Sequence, residues 1–314
     1  MPSRLVQRRD WRDAFTLVEL LVVIGIISVL VGILLPVLAG ARERANSVKC
    51  QMNLRGLGQA WQAYAQEWKG AILPGRMPVN VEISSIYGLG HWDAYRPRWY
   101  ELAGAMVKQF PAPEVYKSQV DSWQITNRWF LCPARPEWTN SRNYVFGYNY
   151  QFLGNARAFG VARQRGNKSK DYIRYPVMAN KIKADRTVMA ADSMGTAAGK
   201  AKSKRTGYLF DGSKDEYAWC NKGWCLDPPR LTPTSDYADP QHRSPHDRSG
   251  PDPRHNGKVN VVFCDGHVES MTPQQMGYVV SPIDQSMPAS APGAHNRLFS
   301  GTGEDDDPPP AFNK

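Results

Sequence analysis

The chain has 314 residues, 42% of them hydrophobic, and a formal charge of +10. It is too long to be a helix alone and long enough to bury the core of one ordinary domain. Its basic residues are dispersed and follow no nucleic-acid-binding motif, so the charge reads as a soluble cationic surface, and no specific nucleic-acid partner is expected.

Residues 1–14 are short, basic and without an apolar run, which makes them a cytoplasmic leader rather than part of a fold. Four Arg stand against two Asp there, so a chain beginning at Phe15 carries +8. Residues 15–39 are almost wholly apolar or small, long enough to span a bilayer as a helix of about 20 residues or more. Arg on the N-terminal flank predicts that this end stays inside while the rest is translocated. One acid, Glu19, interrupts the run. A carboxylate in hydrocarbon costs on the order of 2 to 3 kcal/mol even on lenient scales, so Glu19 calls for a cationic partner. Leu20 to Leu35 followed by Ala39-Gly40-Ala41 also fits the apolar core and cut site of an ordinary secretory signal, which has no use for an acid at Glu19.

Helical periodicity continues through residues 40–69. Ala45, Val48, Met52, Leu54, Leu57, Trp61, Tyr64 and Trp68 recur at three and four residues and lay an apolar stripe on one face. The predicted helix from Thr16 to Trp68 would be about 80 Å long. Pro36 is expected to kink it, Gly56 and Gly58 to weaken it, and Lys69-Gly70 to end it.

Residues 70–303 are expected to form one globular extracytoplasmic head. Tyr100 to Phe110 suggests a short helix closed by Pro111 and Pro113. Phe130-Leu131-Cys132-Pro133 reads as a strand entering a turn, Asn143 to Tyr150 as an aromatic strand, and Arg186 to Ala191 as a buried strand closing on Asp192-Ser193. Few strand signals occur between Gly199 and Pro253. Lys258 to Met271 is the clearest hairpin, with Asp265-Gly266 as a two-residue type I′ turn and Val268 opposite Phe263. Residues 304–314 are acidic and Pro-rich, predicting a disordered tail. Ten Trp and fourteen Tyr are expected mostly in the core, with a sugar-stacking surface as the other use of such rings.

Several residues carry chemical possibilities. Cys220 and Cys225 enclose four residues and are candidates for a disulfide; free thiols or a metal pair are the alternatives, and five Cys leave at least one without an intramolecular partner. His242, His246, His255 and His267 lie near Asp247, Asp252 and Asp265, a density that allows zinc or calcium, with His255, Asp265 and His267 as the candidate ligands. Against this stands a structural reading, in which His255 braces the start of the hairpin. Ser244, Asp247 and His255 make a catalytic triad only on paper, since no nucleophile elbow accompanies them, so no enzyme activity and no obligatory cofactor are expected.

The basic leader, the junction Ala14/Phe15, the block Phe15-Thr16-Leu17-Val18-Glu19 and Pro36 resemble the N-termini of type IV pilins and type II secretion pseudopilins, with Ala14 where that family has Gly. His255, nine residues, then Asp265-Gly266 resembles a His-x9-Asp-Gly element of a pilin-like subfamily, in which Cys50 with Asn53-Leu54-Arg55, Phe130 to Pro133, and Asp192 also have counterparts. The resemblance implies an α+β fold, a long N-terminal helix packed on a globular antiparallel sheet. It also implies cleavage before Phe15 by a prepilin peptidase, methylation of the new amino group, and pairing of that group with Glu19 of a neighbouring subunit. The implied partners are sister subunits, the peptidase, a membrane assembly platform and the bacterial inner membrane. The alternative is a membrane-tethered module that binds glycan or metal outside the cytoplasm and never polymerises.

Overall fold

The computed structural model describes residues 16–76, 97–110, 125–135, 144–154, 156–157, 172–173, 177–205, 223–233, 235, 246 and 248–309. The leader, Ala14, Phe15, Cys220, His242, Ser244 and Asp247 lie outside them. Two compact units divide the chain, Met1–Arg44 and Ala45–Lys314.

One helix, α1, runs Leu17–Glu67 and contains Pro36. In the first unit its large apolar side chains, from Leu17 to Leu38, are all exposed. Two polar side chains occur in that stretch and both are satisfied within the helix. Glu19 closes onto Thr16, and the Ser28 hydroxyl donates to the Ile24 carbonyl at 2.7 Å. A helix that meets its own polar needs and shows only apolar groups outward is suited to hydrocarbon.

In the second unit the same helix buries Cys50, Asn53, Leu54, Leu57, Gly58, Ala60, Trp61, Tyr64 and Ala65. These recur at three and four residues, the spacing that aligns side chains on one face. The buried stripe starts at Cys50, later than the sequence suggests: Val48 and Met52 are 54% and 61% exposed. The two glycines serve close approach. A Cβ on Gly56 would come within 2.9 Å of the Trp129 ring, and one on Gly58 within 2.8 Å of Val262.

A second helix, α2, spans Trp99–Met106, opened by the Arg98 N–H donating to Glu101 at 2.7 Å. It stops short of the expected Phe110 because Lys108 takes a positive φ of 56°. Trp99 stacks on Tyr148 and Tyr100 on Tyr144, so these rings are core.

The strands are β1 (Phe146–Asn149), β2 (Ala156–Arg157), β3 (Tyr172–Ile173), β4 (Val188–Asp192), β5 (Cys225–Leu226), β6 (Val259–Phe263) and β7 (Val268–Met271). β2 and β3 pair by themselves; the others form one sheet in the order β5-β1-β4-β6-β7. The fold is α+β as expected, with a long helix and a sheet head, but the sheet is mixed: β1 and β5 run parallel, all other neighbours antiparallel. β5 falls in the stretch without strand signals, since two residues carry no periodicity. The central strands β4 and β6 are buried at every position, which their Val, Met, Ala and Phe content permits.

Three expectations are corrected. Phe130 ends a single 3-10 turn, Arg128–Phe130, instead of a strand. The β6–β7 connection pairs Val262 with Val268 and joins the Phe263 and His267 backbones, leaving Cys264, Asp265 and Gly266 as a three-residue loop. Only Gly266 there has a positive φ, 89°, whereas a type I′ turn needs two. Both residues are at positive φ instead in the neighbouring two-residue turn Asn256-Gly257, between His255 and Lys258. Finally, residues 304–309 are tied down: Asp305 accepts from the Asn296 N–H, and Arg230 pairs with Asp305 and Asp307.

Candidate functional site

Glu19 sits at the third position of α1 and Thr16 at its cap. The Thr16 N–H and hydroxyl both donate to one Glu19 oxygen, at 2.9 and 2.7 Å, and the Glu19 N–H donates back to the Thr16 hydroxyl at 3.2 Å. This is a reciprocal capping box, satisfying donors that a helix start leaves open. Among the described residues the acid is held by these hydrogen bonds, beside exposed Leu17, Val18 and Leu20. Phe15 and Ala14, the expected processing residues, lie outside the described residues.

A second constellation is buried in the head. Cys50, Cys132, Asp192 and His255 each turn one donor atom inward, and these atoms lie within 4.8 Å of one another. The Cys50 thiol donates to Asp192 Oδ1 at 3.1 Å, Cys132 Sγ lies 3.6 Å from His255 Nε2, and that nitrogen lies 3.5 Å from Asp192 Oδ2.

Each member is placed by its local structure. Cys50 begins the buried stripe of α1. Three residues on, the Asn53 amide donates to the carbonyls of Arg128 at 3.1 Å and Leu131 at 2.8 Å, which fixes the turn carrying Cys132. Asp192 ends β4, its Oδ2 receiving the Asn260 N–H of β6 at 2.8 Å. His255 precedes the Asn256-Gly257 turn, its N–H and carbonyl both bonded to Lys258. Arg254, wholly buried, stands beside the group and pairs with Asp252 at 3.0 Å, which Arg135 also meets at 3.3 Å.

Burial drives the Asp192 carboxyl up to about 7, with Arg254 opposing. Cys132 is held well below the ordinary thiol value by the hydrogen bond from Cys50, with His255 adding to it, while burial pushes Cys50 up. At His255 burial works downward and is outweighed by Cys132 and the Asp192 charge, so its value rises. The result is one thiol leaning to thiolate between donors and a fixed cation.

The expected metal candidates do not gather. His255 joins the buried group, whereas Asp265 and His267 pair with each other at 2.5 Å in the exposed loop beyond the far end of β6. Five strand residues separate the two places, roughly 16 Å at about 3.3 Å per residue. Gly266 provides that loop's positive φ. Cys225 lies buried on β5 beside Trp224. Local density of His and Asp brings forward chain neighbours, whereas the buried group is assembled from α1, a turn, β4 and the start of the β6 hairpin, far apart in the chain. The usable signal was each member's local motif: Cys50 three residues before Asn53, Cys132 before Pro133, Asp192 at a strand end, His255 before Asn-Gly.

A family model, the prokaryotic N-terminal methylation motif, matches residues 12–35. No curated protein and no solved structure matches the chain. The matched segment covers the Thr16/Glu19 box and the exposed apolar turns that follow, on a helix long and apolar enough to cross a membrane. The chain thus carries a prepilin-type N-terminal segment ahead of an α+β head, which supports a pilin-like protein.

Proposed function

We propose that this chain is cut between Ala14 and Phe15 by a prepilin peptidase, methylated on Phe15, and assembled with sister subunits into a type IV pilus-like or type II secretion pseudopilus filament. The N-terminal end stays cytoplasmic, the apolar half of α1 holds the subunit in the bacterial inner membrane, and the head lies outside. A membrane assembly platform then moves the subunit from lipid into the fibre, where the same apolar face packs on sister helices.

One observation carries this reading: the methylation motif coincides with a stretch in which, among the described residues, every large apolar side chain is exposed. Exposed apolar area of that extent marks a lipid or protein contact. Glu19 then sets register, its carboxylate leaving Thr16 for the amine of a neighbouring Phe15. A buried charge pair is better suited to specifying register than to adding stability.

The capping box makes the test decisive. Gln at the third helical position keeps the box but loses the charge. If pairing with an amine sets register, Glu19→Gln and Glu19→Ala both lower the yield of sheared filaments about tenfold or more while leaving cleavage intact, since one lost pair of about 1.4 kcal/mol is a factor of ten. Normal filament yield from Glu19→Gln, with loss only in Glu19→Ala, would reduce Glu19 to a helix cap and contradict its assembly role. A protein found cut but solely in the membrane fraction would favour the tethered binding module.

A further inference from the structure

We infer that Cys50, Cys132, Asp192 and His255 form a structural zinc site that fastens α1 to the sheet head. The inference concerns the 45–314 unit alone and does not rest on the filament reading.

The first argument is the donor set. Two thiols, an imidazole and a carboxylate suit a borderline-soft divalent ion; calcium, which takes oxygen ligands, is a poor match. The second is spacing. Zinc bonds of about 2.3 Å to sulfur and about 2.0 Å to nitrogen or oxygen put neighbouring ligand atoms roughly 3.3–3.8 Å apart in a tetrahedron. Cys132 Sγ to His255 Nε2 is 3.6 Å and His255 Nε2 to Asp192 Oδ2 is 3.5 Å, both the length of tetrahedral edges, and the second is long for an N–H···O hydrogen bond. Cys50 to Asp192, at 3.1 Å, is shorter and has to open by a few tenths of an ångström as the ion replaces the thiol proton.

Charge supplies the third. Two thiolates, one carboxylate and a zinc ion sum to minus one, which the buried Arg254 guanidinium neutralises, while Arg135 answers Asp252. Two protons leave to solvent as the ion enters, one from Cys50 and one shared by Cys132 and His255, so the site's net charge is unchanged. Outer contacts of the kind that orient ligands are also in place. The Asn260 N–H holds the Asp192 carboxylate, and the Asn53 amide holds the Cys132 turn. A disulfide between Cys50 and Cys132 is the rival outcome for thiols outside the cytoplasm, but it gives no use to a carboxylate and an imidazole buried against those sulfurs.

The test uses the full chain with a non-histidine tag, purified in detergent from zinc-supplemented cells and dialysed. About one zinc per chain is expected by elemental mass spectrometry, falling below roughly a tenth in Cys132→Ser and in His255→Ala, and unchanged in Cys264→Ser, whose thiol is buried elsewhere. Should those variants fail to fold, cobalt substitution of the unaltered protein decides, with a thiolate-to-cobalt absorption band and the intense visible bands of tetrahedral cobalt expected. Less than roughly a tenth of a zinc per folded chain, a cobalt spectrum without thiolate bands, or a Cys50–Cys132 disulfide found by peptide mapping overturns the site.

Discussion

The two halves of α1 both carry large apolar side chains and glycines, which meet opposite fates. From Leu17 to Leu38 every large apolar side chain is on the outside, Leu30 at 61%, whereas from Cys50 to Ala65 the large apolar side chains other than Met52 are inside. The glycines divide the same way: a Cβ on Gly25 or Gly32 would touch nothing within 4 Å, while one on Gly56 or Gly58 would strike Trp129 or Val262. One half is finished by its own chain; the other is complete only when something else covers it. For a helix, burial is a statement about the surrounding solvent, and on the function proposed above that solvent is lipid first and sister helices later.

If that contrast is right, the largest effect on the head should come from the second half alone. Trp61 is buried and donates through its indole N–H to the Tyr148 hydroxyl at 2.9 Å. Trp61→Ala should cost the head about 3–5 kcal/mol in a urea melt followed by fluorescence in detergent, while Leu30→Ala leaves that melt unchanged. A comparable loss from Leu30→Ala would break the comparison.

A smaller effect sharpens it. Ala is preferred over Gly inside a helix by about 1 kcal/mol, so Gly32→Ala should be neutral or mildly stabilising to the helix. Gly58→Ala forces a methyl group against Val262 on the fully buried β6 and should destabilise the head by about 1–3 kcal/mol, read in the same melt. Least of all, Arg230→Ala releases the acidic tail from a partly exposed ion pair and should cost under about 1 kcal/mol, with faster proteolysis after residue 300 as its clearer sign.

Long periodic elements were legible in the sequence because a face repeats itself. The helix, both central strands and the β6–β7 hairpin could be read that way. What was hidden depended on backbone conformation or distant pairing. Asp265-Gly266 and Asn256-Gly257 look alike as dipeptides, yet only the second places both residues at positive φ. β5 is two residues long and owes its place to β1. The metal-ligand candidates near His255 were sought among chain neighbours, while its actual companions Cys50, Cys132 and Asp192 arrive from α1, a turn and β4. Glu19 shows a subtler limit. An acid alone in an apolar run calls for a cation from outside, whereas in the single chain the Thr16 capping box satisfies it by hydrogen bonds.

The central claim is that the exposed half of α1 is a prepilin segment, processed and then covered by sister helices. Mass spectrometry of the mature N-terminus, on protein isolated from its host envelope, tests it most directly. The account expects a chain that begins at Phe15 with a methylated amine; a chain that keeps Met1 or Pro2, or one that begins at Arg42, would contradict it.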